Sequence, residues 1–115
     1  MQTLIIGSKE LKHAVERALD SESSVLWAQD LKCAFAELEV SDVDLIVIDA
    51  RTQAEDIFTD LKALIFGIPV TTRVMAIVEQ LPEEELFAEC GVIYLTPPIN
   101  LEDIKWFIRH HTAAH

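Results

Sequence analysis

Glycine, cysteine and positive charge are all scarce in this chain of 115 residues. Its three glycines form neither GxGxxG nor GxxxxGK[ST], so the sequence has no standard phosphate-binding loop. The two cysteines, Cys33 and Cys90, form no CxxC or zinc-ligand spacing, and this usage suits a reducing cytoplasm. With 20 acidic residues against 9 Lys and Arg, the formal net charge is -11. Such a surface repels nucleic acid and anionic membranes, so we expect the protein to bind neither directly. We expect it to be cytoplasmic.

Long hydrophobic runs are also absent. The N-terminal stretch MQTLIIGSKE has a short apolar run and no basic segment before it, so we expect neither a signal peptide nor a membrane span. No low-complexity tract, repeat or Gly/Ser linker divides the chain, and 50% of its residues are hydrophobic. This composition predicts one compact domain over residues 1–115 with a substantial core.

Two hydrophobic periods alternate along the chain. Short apolar runs, typical of buried strands, are each followed by apolar residues at helical spacing. The third run, DLIVIDA, has four consecutive aliphatic residues between two aspartates, as in a central parallel strand. Asp30 is a good N-cap for the second helix, and Gly67 with Pro69 predicts the end of the third. A fourth helix is expected from Pro82 to Gly91, and a fifth from Asn100. The predicted strands are 4–6, 25–28, 44–50, 74–78 and 92–95.

Five strand-then-helix units predict an α/β fold with a five-stranded parallel sheet, doubly wound as (βα)5. The flavodoxin-like order 2-1-3-4-5 fits this length better than a six-stranded Rossmann sheet. Function in such sheets concentrates at the carboxyl ends of the strands, near strands 1 and 3. Gly7 and Ser8, which follow strand 1, suit a turn and a helix cap. Asp49 follows four aliphatics in strand 3, and taken alone it fits a structural or a functional role equally well.

Three segments resemble the receiver domain of two-component response regulators, the CheY-like family. VDLIVIDA resembles the third strand that carries the phosphoacceptor aspartate, and YLTPPI resembles the YLTKPF ending of the fifth strand. QDLKCAFAEL, residues 29–38, is similar to the DGxEAL pattern of the second helix, with Leu31 in place of the glycine. The order and spacing of these segments extend the resemblance over essentially the whole chain.

The resemblance implies a degenerate phosphorylation site. Gly7 and Ser8 stand where active receivers have two acids that help to hold Mg²⁺, and Pro97 stands where they have a lysine. Val78, or Glu79 in the alternative alignment, replaces the hydroxyl residue that ends strand 4. Asp49 then remains as a vestigial phosphoacceptor. Since phosphoryl transfer depends on positioning and charge neutralisation, we expect no metal ion, no cofactor and no efficient phosphorylation.

The same resemblance implies roles for three other positions. Tyr94 matches the switch aromatic, and we expect it to be fixed in one state because Val78 offers no hydroxyl. Pro98 matches a proline whose preceding bond is often cis. For Trp106, helical spacing itself predicts a ring that points away from the apolar stripe of the last helix. Such a ring either lies on a neighbouring surface or contacts a protein partner or an output domain, and the resemblance favours the contact. Receivers often pair through helix 4, strand 5 and helix 5, so a homodimer through that face is a further expectation.

The leading hypothesis is therefore a pseudo-receiver, not an enzyme, that acts through protein contacts. One alternative is an active receiver with unusual ligands, in which Glu10 or Glu79 replaces the missing acids. Another is a flavodoxin-like enzyme or small-ligand domain that uses Asp49 and Ser8. The lack of a nucleophile paired with a general base counts against this alternative. His110, His111 and His115 are expected to be a solvated terminus, because no acid or cysteine near them completes a metal site.

Overall fold

A computed structural model describes residues 2–19, 24–49, 63, 66, 67, 72–78, 92–95 and 102–106. The described elements are β1 (Gln2–Ile6), α1 (Lys9–Ala18), β2 (Ser24–Ala28), α2 (Leu31–Val40), β3 (Leu45–Asp49), β4 (Arg73–Ile77) and β5 (Val92–Leu95). Residues 63, 66, 67 and 102–106 are also helical. No helix in these ranges is long and apolar enough to cross a membrane.

All neighbouring strands of the sheet are parallel, in the order β2-β1-β3-β4-β5. This is the order expected from the sequence, and the crossover between β1 and β3 creates the predicted switch point. In the register of the sheet, Ile6 lies beside Ile48, and Asp49 lies beside Ile77. The carboxyl ends of β1, β3 and β4 therefore meet at one edge of the sheet.

Helices cover both faces of the sheet, as the doubly wound prediction requires. One apolar cluster joins α2 to one face through Leu31 and Ala34. The other joins α1 and the helical segment 102–106 to the opposite face through Leu11, Val15 and Ile104. Leu45 and Val47 belong to this second cluster. Since side chains alternate along a strand, Asp49 shares the face that α1 covers.

Side chains cap the first turns of both described helices. Ser8 Oγ accepts a hydrogen bond of 3.2 Å from the Leu11 amide, and Asp30 Oδ1 accepts one of 2.9 Å from the Cys33 amide. Both are standard N-caps that satisfy a free amide of the first turn. The hydrogen bond from the Cys33 amide lowers the pKa of Asp30, because it favours the ionised carboxylate. The prediction of Asp30 as an N-cap is confirmed.

Several predicted boundaries shift by one or two residues. Strand 1 begins earlier than expected, at Gln2, because Gln2 and Thr3 pair with Ser24 and Val25 of β2. Strand 4 spans Arg73–Ile77, so Val78 follows the strand instead of ending it. Gly67 with Pro69 was expected to end the third helix; Gly67 is itself helical and lacks a positive φ, and the residues that follow it, 68–71, lie outside the described residues. The predicted fourth helix lies outside the described residues.

Candidate functional site

Asp49 is the last residue of β3 and is only 4% exposed. The four aliphatic residues before it are fully buried, so the Asp49 carboxylate lies at the carboxyl end of a buried central strand. The sequence predicted this carboxylate at a strand end close to the switch point, and the structure places it there. Access to Asp49 from solvent then depends on the residues that surround it.

Gly7 lies directly against Asp49. A Cβ atom added to Gly7 would be 3.1 Å from Asp49 Cβ and 3.4 Å from Leu11 Cδ2, a spacing that forces the neighbouring atoms to move. The φ of Gly7 is +146°, a backbone conformation that residues with side chains rarely adopt. Any acid at this position would therefore need a different backbone. The structure uses the position for close packing on Asp49.

Trp27 of β2 contacts the same turn, and Lys9 of α1 contacts the Trp27 ring. The indole Nε1 of Trp27 donates a hydrogen bond of 2.9 Å to the Gly7 carbonyl, and the Gly7 amide donates one of 3.0 Å to the Ala28 carbonyl. The Lys9 ammonium lies 5.8 Å from the centre of the Trp27 ring, within the range of a cation–π interaction. Sequence reasoning missed Trp27. The signal was available, because a strand-end indole needs an acceptor and the 2-1-3 order places β2 beside β1.

Val78 follows β4 and is 4% exposed. Its amide donates a hydrogen bond of 2.9 Å to the Leu95 carbonyl of β5, which holds the chain close to the sheet beyond the strand. An aliphatic side chain therefore occupies the position where the resemblance implies a hydroxyl. The Val78 side chain has no polar atom and can contribute only packing at this position.

The other predicted site residues are described in part or not at all. Tyr94 belongs to β5, where it pairs with Ala76, but the position of its ring is outside the described structure. Pro97, Pro98 and Glu79 lie outside the described residues, as do His110, His111 and His115. The switch, cis-proline and lysine-replacement roles therefore stay predictions. Glu10 is exposed at the second position of α1.

Within the described residues, no group of three or more His, Cys, Asp or Glu side chains is arranged to hold a metal ion. Ser8 is exposed, and its hydroxyl already accepts the Leu11 amide as a helix cap. Divalent cations such as Mg²⁺ are usually bound through carboxylates and phosphate oxygens. Of the three positions that the resemblance assigns to the metal site, Gly7, Ser8 and Asp49, only Asp49 is a carboxylate.

Trp106 lies in the helical segment 102–106, which is far from Asp49 along the chain. It is 57% exposed. Ile104 of the same segment is buried against the sheet face that α1 also covers. The helical spacing therefore places Trp106 outward, as the sequence predicted. A large exposed indole is typical of protein interfaces.

Two solved structures are similar to this chain over nearly its full length. A response regulator from Thermotoga maritima has a TM-score of 0.79 at 19% sequence identity, and the match covers 98% of both chains. A protein described as a CpaE2 pilus assembly protein, from Sinorhizobium meliloti, has a TM-score of 0.71 at 20% identity, and the match covers 95% of this chain and 98% of the other. No family model and no curated sequence matches. The chain thus has a CheY-like receiver fold, and identities this low establish the fold alone.

Proposed function

We propose that this protein is a pseudo-receiver: a signal-transduction module that acts through protein contacts without Mg²⁺-dependent phosphorylation of Asp49. The proposal rests on one observation, the packing of Gly7 against Asp49. In the family pattern this position carries an acid that helps to hold the metal ion. Here a Cβ atom would lie 3.1 Å from Asp49 Cβ, and the φ of +146° favours glycine.

The surrounding residues support the same proposal. Ser8, at the second acid position, caps α1 through its hydroxyl. Trp27 donates its indole N–H to the Gly7 carbonyl and so fixes the turn from the side. Val78 replaces the hydroxyl residue with an aliphatic side chain. Each of these residues has a structural role in place of the polar role that phosphoryl transfer requires.

In this proposal the domain signals through a surface contact with another protein and not through phosphorylation of Asp49. Trp106, at 57% exposure, is the anchor that we propose for a protein partner or an output domain. The net charge of -11 favours a neutral or basic partner surface and disfavours nucleic acid and membranes. The free Cys33 fits a reducing cytoplasm, where we place the protein.

A Mg²⁺ titration followed by tryptophan fluorescence tests the loss of the metal site. The chain has two tryptophans, so a Trp106→Phe background leaves Trp27 as the reporter, and its indole is hydrogen-bonded to the turn beside Asp49. We expect no saturable change up to millimolar Mg²⁺, because Gly7 and Ser8 supply no carboxylate beside that of Asp49, and one protein carboxylate alone is a poor magnesium site.

The matched control is the Asp49→Asn variant in the same background. A saturable fluorescence change that disappears in this variant would show that Asp49 still binds the ion. That result would favour an active receiver with unusual ligands such as Glu10 or Glu79. A thermal-shift screen with nucleotides and flavins tests the other alternative, a small-ligand domain or enzyme of the same fold.

A further inference from the structure

The turn at Gly7 lies between the ends of two strands. β1 has β2 on one side and β3 on the other, and Gly7 directly follows β1. Trp27 of β2 packs on the sheet face that α1 covers, and Asp49 of β3 shares that face. The turn therefore has the Trp27 indole on one side, bound to the Gly7 carbonyl, and Asp49 on the other, in close contact with Gly7.

Two hydrogen bonds to β2 restrict the backbone of Gly7. The amide of Gly7 donates to the Ala28 carbonyl at 3.0 Å, and its carbonyl accepts from Trp27 Nε1 at 2.9 Å. Because peptide groups are planar, φ and ψ of Gly7 are the only rotations between these two groups. Hydrogen bonds that hold both groups therefore restrict both rotations, and the result is a φ of +146° that suits glycine.

The two hydrogen bonds differ in what they require of the sequence. The bond to Ala28 joins main-chain groups just beyond the paired residues of β1 and β2, so it depends little on residue type. The bond to the Gly7 carbonyl requires the indole N–H of Trp27. The Lys9 ammonium, 5.8 Å from the centre of the ring, helps to hold the indole in place. The side-chain-specific restraint on Gly7 thus comes from Trp27.

We propose that Trp27 is a positioning residue for this site: its indole holds Gly7 at a positive φ and close against Asp49. Trp27 then determines whether position 7 can accept a side chain. It acts on Asp49 only through the turn. What this control withholds rests on the proposed function, since the resemblance places an acid of the metal site at position 7.

The control that we infer comes from the side of the sheet opposite to the one that the resemblance implies. There the site is coupled to strands 4 and 5 through a hydroxyl residue and a switch aromatic. In this chain the side chain at that place, Val78, has no polar atom. Trp27 belongs to β2, at the other end of the strand order β2-β1-β3-β4-β5. A change at β2 should therefore reach Asp49 through Gly7, without a movement of β5.

A double-mutant cycle tests whether Trp27 imposes the conformation of Gly7. Trp27→Phe removes the indole N–H and keeps an aromatic ring for Lys9. In the wild type, an alanine at position 7 gains an ordinary φ only when the indole bond breaks, whereas in the Trp27→Phe background no such bond is lost. Gly7→Ala should therefore lower the folding equilibrium constant by roughly three- to tenfold less in that background, the worth of one hydrogen bond. Urea denaturation of the four proteins measures this difference.

Val25→Ala is the matched control for Trp27→Phe. Val25 lies on the same face of β2, is partly buried in the same cluster and pairs with Thr3 of β1. This variant weakens the packing of β2 without removing a bond to the turn. Gly7→Ala should cost the same in the Val25→Ala background as in the wild type.

Amide hydrogen exchange gives a second measurement that does not depend on the folding of Gly7→Ala. In Trp27→Phe, the Gly7 amide should exchange roughly three- to tenfold faster relative to the Val47 amide of β3, because the turn opens locally while the central strand stays protected. In Val25→Ala this ratio should not change.

Three results would overturn the proposal. The first is an equal cost of Gly7→Ala in the wild-type and Trp27→Phe backgrounds. The second is a coupling of Gly7→Ala with Val25→Ala as large as that with Trp27→Phe. The third is an unchanged ratio of Gly7 to Val47 exchange in Trp27→Phe.

These measurements separate the control by Trp27 from the proposed function, because none of them uses Mg²⁺ or a phosphodonor. Coupling between Trp27 and Gly7 in a protein that is phosphorylated at Asp49 would refute the pseudo-receiver and support the control by Trp27. Additive effects in a protein that is not phosphorylated would do the reverse.

Discussion

Gly7 is the residue at which this chain differs most informatively from the receiver pattern. A missing acid alone could be restored by a single substitution. The structure shows a second change, because the backbone of Gly7 has a φ of +146° and its Cα packs on Asp49. Hydrogen bonds from the Gly7 amide and to the Gly7 carbonyl hold this conformation from the β2 side. The position has therefore become part of the packing around Asp49.

A glycine-to-alanine pair tests this description of residue 7. Gly7→Ala should lower the free energy of unfolding by about 1–3 kcal/mol, since it forces a side chain into a strained backbone conformation next to Asp49. Gly67→Ala is the control: Gly67 is helical and exposed, with nothing within 4 Å of an added Cβ. There the change should stabilise the protein by about 0.5–1 kcal/mol. Urea denaturation measures both, and equal effects at the two sites would contradict the packing described for Gly7.

At this scale the sequence predicted some residues of the site and missed others. Asp49 was located because a carboxylate after four aliphatics can be read from one strand alone. Trp27 was missed because its contact with Gly7 joins the ends of two strands, and hydrophobic periodicity reports nothing about contacts between strands. The backbone conformation of Gly7 was equally hidden, since a glycine in a turn is compatible with many values of φ and ψ.

In α1, side chains outside the helix stabilise a first turn that begins with an unfavourably placed lysine. Lys9 is the first residue of α1, where the partial positive charge of the helix N-terminus disfavours a cation. The Ser8 cap and the contact of the Lys9 ammonium with the Trp27 ring offset this cost. The first turn of α1, the end of β2 and the turn at Gly7 thus form one connected unit beside Asp49.

Of the predicted helix boundaries, the start of α2 can be compared with the structure. Asp30 was identified as a cap because a carboxylate before an apolar stripe has one main structural use, and the structure confirms it. Gly67 with Pro69 was predicted to end the third helix, and Gly67 is helical without the positive φ of a left-handed cap. The residues after it lie outside the described ranges, so the end of this helix stays a prediction.

The helical segment 102–106 carries the surface that we assign to a partner protein. In a pull-down from the cells that produce the protein, Trp106→Ala should remove the bound partner, because truncating a central aromatic anchor typically costs 2 kcal/mol or more, roughly a thirtyfold loss of affinity. Val40→Ala is the matched control, since Val40 is 80% exposed on α2, which covers the opposite face of the sheet. Unchanged capture by the Trp106 variant, or equal loss in both variants, would rule out this surface.

For the whole molecule, the sequence predicted the architecture better than the function. Strand-helix alternation and a fully aliphatic third strand indicated a parallel sheet, and the observed order β2-β1-β3-β4-β5 agrees. Function is less accessible, because one fold supports many activities and the similar structures share only 19% and 20% identity with this chain. A pseudo-receiver is therefore proposed from the residues around Asp49 and not from the fold. The conformation of Gly7 beside Asp49 is one feature that no sequence pattern displays.

Phosphorylation itself is the most direct test of this account. The intact protein is incubated with acetyl phosphate and Mg²⁺, and its mass is followed over time beside an Asp49→Asn variant. We predict that the wild-type mass does not change, because Gly7, Ser8 and Val78 supply neither the acids nor the hydroxyl that the family pattern uses around its aspartate. A reversible, Mg²⁺-dependent gain of one phosphoryl group, absent from the Asp49→Asn variant, would contradict the account.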